Sequence, residues 1–404
     1  MLEKQNIDSS KSETLHFPNV STLMKISLGL ILFTMISCVF IGILYEKNKF
    51  ALVNSLPILT SLLIILSILT YGKFMIFSGL AYVALSVLVA SIMQSLILMH
   101  SAPKTFWTGF PMFNKATKAI RKFVNIYWPL CFAIMIIQFT NVFYIYLNSF
   151  EDSAISWIYY AERIYYLPVT LIAIPLSTVL IPNISRLIIF KYEESISLQN
   201  QAIKYFFASL IPLTVFIYFM SEIIVRILFE RGEFNQLDTI ATSQALKLFL
   251  IGMPAFSLAI ILRPFFAASH KSRTILISSL SSSILGLIVA LLLIDSLKFL
   301  AVPVAVSTAA WVNVMLLLSF QIKANFFRLE PNILMYCFKY ICFTCILGCS
   351  MYIVQNIYDN NDLLNLLLGL MTFSFSYILF VFLFDEELYS KFKSKILAIL
   401  SMST

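Results

Sequence analysis

The chain has 404 residues, of which 60% are hydrophobic and 12% charged, with 28 Lys and Arg against 20 Asp and Glu for a formal net charge of +8. A water-soluble domain carries about twice that charged share. Soluble globular, disordered, collagen-like and disulfide-scaffold chains are therefore excluded, and a polytopic membrane protein remains.

Residues 1–21 are polar and mixed in charge, with no apolar core of a signal peptide. Beyond them lie eleven apolar segments, at about 22–45, 52–72, 75–100, 125–148, 160–188, 204–228, 240–268, 273–294, 299–320, 333–355 and 362–384. Each is long enough for a helix across the bilayer, which needs about 20 apolar residues. Strands of a membrane barrel would be about ten residues of alternating polarity, and no such pattern appears. The expected fold class is an all-α polytopic membrane protein of about eleven transmembrane helices. The connection 101–124 sets Phe106, Trp107 and Phe110 beside lysines, and the tail 385–404 sets Lys391 and Lys395 beside Phe392 and Ile396. Both patterns suit amphipathic stretches lying along a membrane surface.

The six cysteines all lie inside apolar segments and read as small hydrophobes. Cys342, Cys345 and Cys349 share a helical face, but no His or carboxylate joins them to complete a metal site. Basic residues concentrate in alternate connections, among them Lys115, Lys118, Arg121, Lys122, Arg186, Lys191, Lys271 and Arg273. The opposite set holds Lys73, Arg231 and Lys298 with the acids Glu151, Asp152, Asp359 and Asp362. The positive-inside rule makes the first set cytoplasmic, together with the C-terminus, and explains the net charge without nucleic acid. An odd number of spans then puts the N-terminus outside, with no signal to carry residues 1–21 across. The expectation is an odd number of helices upstream; a miscounted span is the alternative.

A charge inside a span is costly and so a functional candidate. Glu162 and Arg163 stand at the start of the fifth segment, with Arg163 one to two turns deep. The planar guanidinium fork suits a phosphate; snorkelling to headgroups, or pairing with Glu162, is the plainer reading. Lys25 and Lys339 lie near span ends and read as snorkelling. Arg263 precedes Pro264 and faces either a cavity or the cytoplasmic interface. Gln138 and Asn141, three residues apart, share a helix face and serve either as interhelical glue or as cavity lining. Prolines at 57, 129, 168, 182, 254 and 264 bend helices, as is common in transporters that rock and open and also occurs in membrane proteins that do not move.

No phosphate-binding Gly-Lys loop and no convergent acid, base and metal set occur, so neither ATP hydrolysis nor membrane enzymology is expected, and no cofactor. The intramembrane charge series of a proton-pumping subunit is missing too. A transporter of a bulky, anionic, amphipathic solute fits what remains. The rival class is a membrane glycosyltransferase, which would need an essential carboxylate such as Glu151 or Asp152.

Two stretches then carry a family resemblance. Ser156-Trp157-Ile158-Tyr159-Tyr160-Ala161-Glu162-Arg163, with Leu167-Pro168 and Thr178-Val179-Leu180-Ile181-Pro182-Asn183-Ile184-Ser185-Arg186, resembles the S-W-x-Y-Y-A-acid-R stretch of the MurJ (MviN) lipid II flippases. Leu228-Phe229-Glu230-Arg231-Gly232-Glu233-Phe234 with Asp238 resembles that family's L-F-x-x-G-x-F-x-x-x-D connection. The run Leu262-Arg263-Pro264-Phe265-Phe266-Ala267 is similar to its L-A-P-x-F run, and Asn48-Lys49-Phe50 with Pro57 is a weaker match.

The resemblance implies a two-lobed exporter fold of fourteen helices around a central cavity. It implies that undecaprenyl-diphosphate-linked muropeptide, lipid II, is carried from the inner to the outer leaflet. Alternating access driven by membrane potential is the implied mechanism, in the bacterial cytoplasmic membrane, with the bilayer and cell-wall synthesis proteins as partners. Residue by residue, it implies Arg163 at the diphosphate and Ser156, Gln138, Glu162 and Asn141 lining the cavity. Arg263 stands where alanine is usual, and Ile260 where some members have lysine, as though a cation had moved by about one turn. The runs of the family's first three helices do not occur, and the first segment aligns with its fourth helix. The implied organisation is a polar segment 1–21, the rest of a first lobe at 22–124, a second lobe at 125–320, two extra helices at 321–384 that groove a lipid tail, and a cytoplasmic tail 385–404. An exporter of another lipid-linked oligosaccharide, of O-antigen or teichoic-acid type, shares the diphosphate and stays open, as does a non-functional remnant.

Overall fold

In the computed structural model, residues 20–46, 49–71, 79–102, 113–269, 271–324, 331–357 and 362–385 are described. The expectations for residues 1–19, for 103–112 with its aromatic residues, and for the tail 386–404 lie outside them. Every regular element among the described residues is a helix, and ten stretches are long and apolar enough to cross a membrane. One stretch, Ser272–Lys323, contains two helices, which accounts for eleven crossing segments.

Two compact units divide the chain, Met1–Thr117 and Lys118–Thr404. The first holds α1 (Val20–Glu46), α2 (Phe50–Tyr71) and α3 (Gly79–Ser101), with α3 packed on both others. Phe40, Leu44, Val53, Leu56 and Leu98 form its small core. Pro57 interrupts the α2 hydrogen-bond ladder, and Gln94 of α3 reaches that turn, donating from Nε2 to Leu56 O at 2.9 Å and Thr60 Oγ1 at 2.6 Å. Side chains such as Met35, Leu62 and Leu69 are exposed, an outward apolar face that suits lipid rather than water.

The second unit runs through α4 (Phe113–Asn148), α5 (Ala154–Pro168), a π-helical turn Val169–Ala173, α6 (Ile174–Phe190), α7 (Tyr192–Phe229), α8 (Gln236–Ala268), α9 (Ser272–Leu297), α10 (Ala301–Lys323), α11 (Pro331–Ile357) and α12 (Asp362–Phe384). Three expected boundaries change. The sixth segment, expected from 204, is a helix from Tyr192 onward. Residues 113–124, expected within a surface-lying connection, are the first turns of α4: their amphipathic pattern is continuous with the apolar span and nothing breaks the helix between them. The fifth span begins at Ala154 rather than 160, so Arg163 lies on the third turn instead of one to two turns deep. Polar and aromatic residues at 156–163 dilute the hydropathy there without weakening the helix.

α8 is the hub, packing against α5, α6, α7 and α10. It starts with a capping box, in which Asn235 Oδ1 accepts from the Leu237 and Asp238 backbone and Asp238 Oδ2 accepts from Asn235 N. Phe249, Phe265 and Phe266 are fully buried with Phe206 and Met220 of α7. Lipid tails give helices no hydrophobic drive to associate, so close packing and polar contacts hold them together. The α8–α10 crossing has both: Ser307 Oγ donates to Leu248 O at 2.6 Å, Trp311 Nε1 to Ile251 O at 3.0 Å and Gln321 Nε2 to Leu262 O at 3.2 Å. At its centre a Cβ on Gly252 would stand 2.6 Å from Ser307 Cα. Because that neighbour is backbone, Gly252→Ala must push the two helices apart. The expected cost is about 1–3 kcal/mol, read as a lower unfolding temperature in detergent.

α12 is fastened at both ends. Asp362 at its start accepts from Arg226 Nη1 of α7 at 2.8 Å. Asp385 at its end accepts from Tyr336 and Tyr340 of α11 at 2.5 and 2.8 Å. The connections around 148–154, 229–236 and 297–300 share the end of this unit that carries Glu151, Asp152, Glu230 and Glu233. The opposite end carries Arg186, Lys191, Lys271, Arg273 and Lys323.

Candidate functional site

α5 sorts its residues into two faces. Ala154, Ile158, Ala161, Ile164 and Tyr165 are buried toward the core, whereas Ser156, Tyr159, Arg163 and Tyr166 are exposed on a stripe repeating every three to four residues. α4 contributes Asn141, Tyr144, Ile145 and Asn148 at the same spacing. Between these helices lies a cavity of about 230 Å³, lined from α4 by those residues, from α5 by Ile155, Ile158, Tyr159, Glu162 and Tyr166, and from α10 by Val302.

Its polar groups are unusually open to a guest. Tyr144 is 6% exposed and Asn148 3%, yet the Tyr144 hydroxyl and Asn148 Oδ1 have no hydrogen-bond partner. Buried polar groups are nearly always paired with protein or water, so an orphan donor and an orphan acceptor on one cavity mark space for a polar guest. The Tyr144 hydroxyl is fixed by close packing: a Cβ on Gly286 of α9 would lie 2.6 Å from it.

Arg163 does not pair with Glu162. Adjacent helical residues diverge by about 100°, and the arginine turns back one turn instead. Its Nη2 donates to the Tyr159 hydroxyl, and Cζ sits 4.3 Å from the Tyr159 ring centroid. An exposed guanidinium placed over a tyrosine ring keeps its remaining donors available. Glu162 is half-buried and lines the cavity. Asn141 Nδ2 donates to Gln138 Oε1 at 3.2 Å, so both amides lie on the stripe of α4 and bond each other rather than a neighbouring helix. Ser156 is exposed one turn before Tyr159 and Tyr160, outside the cavity lining.

The structure thus places Asn141 and Glu162 in the cavity lining, with Gln138 bonded to Asn141 on α4 and Arg163 bonded to Tyr159 on α5, both outside that lining. Arg263 stands apart. Arg163 is nine residues into α5 and Arg263 five residues from the opposite end of α8, which separates them by roughly 25 Å along the bundle at 1.5 Å per residue. Arg263 Nε is buried and has no hydrogen-bond partner. Tyr144, Asn148 and Tyr159 are the site residues that sequence reasoning missed. The signal for the first two was present, since 138, 141, 144 or 145 and 148 form a polar period of three to four within an apolar span.

Beyond Arg163 the helix passes Pro168, which donates no backbone hydrogen bond, and widens into the π-helical turn Val169–Ala173 before α6 resumes. π-Helical turns of this kind concentrate at functional sites in helices.

The sequence pattern of the family described as "Lipid II flippase MurJ" matches residues 8–373. The chain is 30% identical over 340 residues to the "Probable lipid II flippase MurJ" of Rickettsia prowazekii (strain Madrid E), covering 83% of this chain and 66% of that protein. To the protein of the same name in Helicobacter pylori (strain ATCC 700392 / 26695) it is 29% identical over 319 residues, covering 73% and 68%. With that of Rhizobium meliloti (strain 1021) it shares 34% identity over 172 residues, covering 42% and 32%. The chain therefore spans about two thirds or less of the length of these curated relatives. Its fold is that of a solved lipid II flippase MurJ in an inward closed conformation, at a TM-score of 0.74 and 22% identity, covering 91% of this chain and 74% of that one.

Proposed function

The chain belongs to the lipid II flippase MurJ family, and from that premise we propose that it carries undecaprenyl-diphosphate-linked muropeptide from the inner to the outer leaflet of the bacterial cytoplasmic membrane. The observation that carries this reading is Arg163, an exposed guanidinium on the third turn of a membrane-length helix, beside a cavity with unpaired polar groups. Lipid II joins an apolar tail, a diphosphate and a head of sugars and peptide. Arg163 holds the diphosphate with two parallel hydrogen bonds. Gln138, Asn141, Ser156 and Glu162 serve the hydroxyls and amides of the head, with Tyr144 and Asn148 alongside. Arg263, near the basic end, meets the anionic head before or after it reaches Arg163.

In this reading the basic end and the C-terminus are cytoplasmic, and the acidic end faces outward. The site opens to each leaflet in turn, and no covalent bond forms or breaks, so the protein is a transporter rather than an enzyme. The sign of the drive follows. With the cell interior negative, an anionic head moves outward down the potential, releasing about 2.3 kcal/mol per charge per 100 mV. Glu151, one of the two carboxylates a glycosyltransferase would draw on, instead accepts from Phe299 N at 3.0 Å.

The test is complementation of a bacterium depleted of its own flippase, with this chain and in parallel with the reading frame extended upstream. Rescue by either form, with outward lipid II transport restored, is the expected result. Failure of both, at normal membrane levels, would overturn the assignment of substrate.

A further inference from the structure

At the acidic end, four residues from three separated stretches interlock around the start of α5. Trp157 Nε1 donates to Asp238 Oδ1 at 2.7 Å. The Trp157 ring lies 4.9 Å from that of Phe299, whose backbone N–H is held by Glu151. One turn on, the Tyr160 ring packs 4.6 Å from Phe229 and 5.4 Å from Phe234. α5 needs such support, because Ser153 at its N-cap has φ 64 and makes no side-chain cap bond. A tryptophan at a helix entry is ordinarily a membrane-interface anchor whose N–H faces headgroups. Here that N–H is turned inward onto a carboxylate.

Asp238 does two jobs. One oxygen caps its own helix through Asn235 N at 2.8 Å, and the other receives the indole of α5. We propose that Asp238 is a positioning residue: through Trp157 it fixes the rotation of α5 about its axis and so aims Arg163. This rests on the reading of Arg163 given above. The lever is short. A guanidinium reaches roughly 8 Å from its helix axis, so a 20° rotation would displace it by about 3 Å. Polar sites hold their geometry only within about 0.5 Å and 10–20°.

The two jobs of Asp238 can be separated. Trp157→Phe keeps a ring against Phe299 and removes only the donor. Asp238→Leu removes both jobs, and Asn235→Ala weakens the cap by removing its other half, the Asn235 side chain, while leaving the Trp157 bond. The readout is binding of undecaprenyl diphosphate to the full chain in lipid nanodiscs, at matched levels of folded protein. Trp157→Phe and Asp238→Leu are each expected to weaken binding about tenfold, and together no more than either alone, as one shared interaction requires. Asn235→Ala should stay within about twofold, and Trp157→Phe should add nothing to Arg163→Ala. Unchanged binding in Trp157→Phe while Arg163→Ala fails to bind would overturn the positioning role alone. An equal loss in Asn235→Ala would also overturn it, by tracing the effect to the cap. Normal binding by Arg163→Ala would overturn both readings.

Discussion

Arg163→Ala is expected to abolish lipid II transport while leaving the protein inserted at its normal level. The guanidinium is exposed and makes its only described bond and ring contact to Tyr159, one turn away on the same helix. Removing it therefore unfastens no second helix. The loss falls on the substrate: two charge-assisted hydrogen bonds at about 1.5–3 kcal/mol each correspond to at least 100-fold in transport. Arg163→Lys should recover only part, because an ammonium supplies the charge without the planar fork. Tyr159→Phe keeps the ring under the cation and should cost far less. Transport of a fluorescent lipid II by the reconstituted chain, extended upstream if only that form complements, ranks the three variants. Arg163→Ala at wild-type rate would remove Arg163 from the mechanism.

The membrane class, the segments and their helical state were legible in the sequence because each depends on local composition alone. Boundaries shifted where composition misleads. The basic residues 113–124 lower hydropathy without breaking α4, and Ser156 to Arg163 do the same at the start of α5. Glu162 and Arg163 stood out as charges within a span and Gln138 with Asn141 by spacing, while Ser156 came from the motif alone and falls outside the cavity lining. Tyr144 and Asn148 continue the period of Gln138 and Asn141 but were not singled out, since a tyrosine or asparagine in a span reads as packing until its hydroxyl or carbonyl is seen without a partner. Pairings over long separations were invisible: Trp157 with Asp238 and Arg226 with Asp362 join different helices, and Tyr340 of α11 meets Asp385 just past the end of α12. No periodicity encodes which helix lies beside which. The same blindness affected Asp362, which sequence reasoning counted only as a charge that orients a loop. In the structure it fastens the start of α12 to Arg226, which also meets Glu222 at 2.8 Å and Glu230 at 3.5 Å.

The other end of α12 supports the second large effect. Asp385→Leu is expected to loosen α12 from α11 and to lower stability by about 2–4 kcal/mol, since it strands two tyrosine hydroxyls that have desolvation costs of about 1–3 kcal/mol each. Asp385 is 5% exposed and Tyr340 1%, so water cannot readily take the place of the carboxylate. Packing alone compensates poorly, because α12 leaves Leu363, Met371, Phe375, Ile378 and Phe382 exposed. Its close contacts are few, among them Gly369 against Met220 of α7 and Phe380 stacked 4.3 Å from Phe343. The triple change Asp385→Leu, Tyr336→Phe and Tyr340→Phe should be milder than Asp385→Leu alone, because it removes the two hydroxyls that the single change deprives of their carboxylate. Thermal unfolding in detergent separates these outcomes. If Asp385→Leu alone unfolds like the unaltered chain, the carboxylate is dispensable and ring packing of Tyr336, Tyr340, Phe343 and Phe380 suffices to hold the helix.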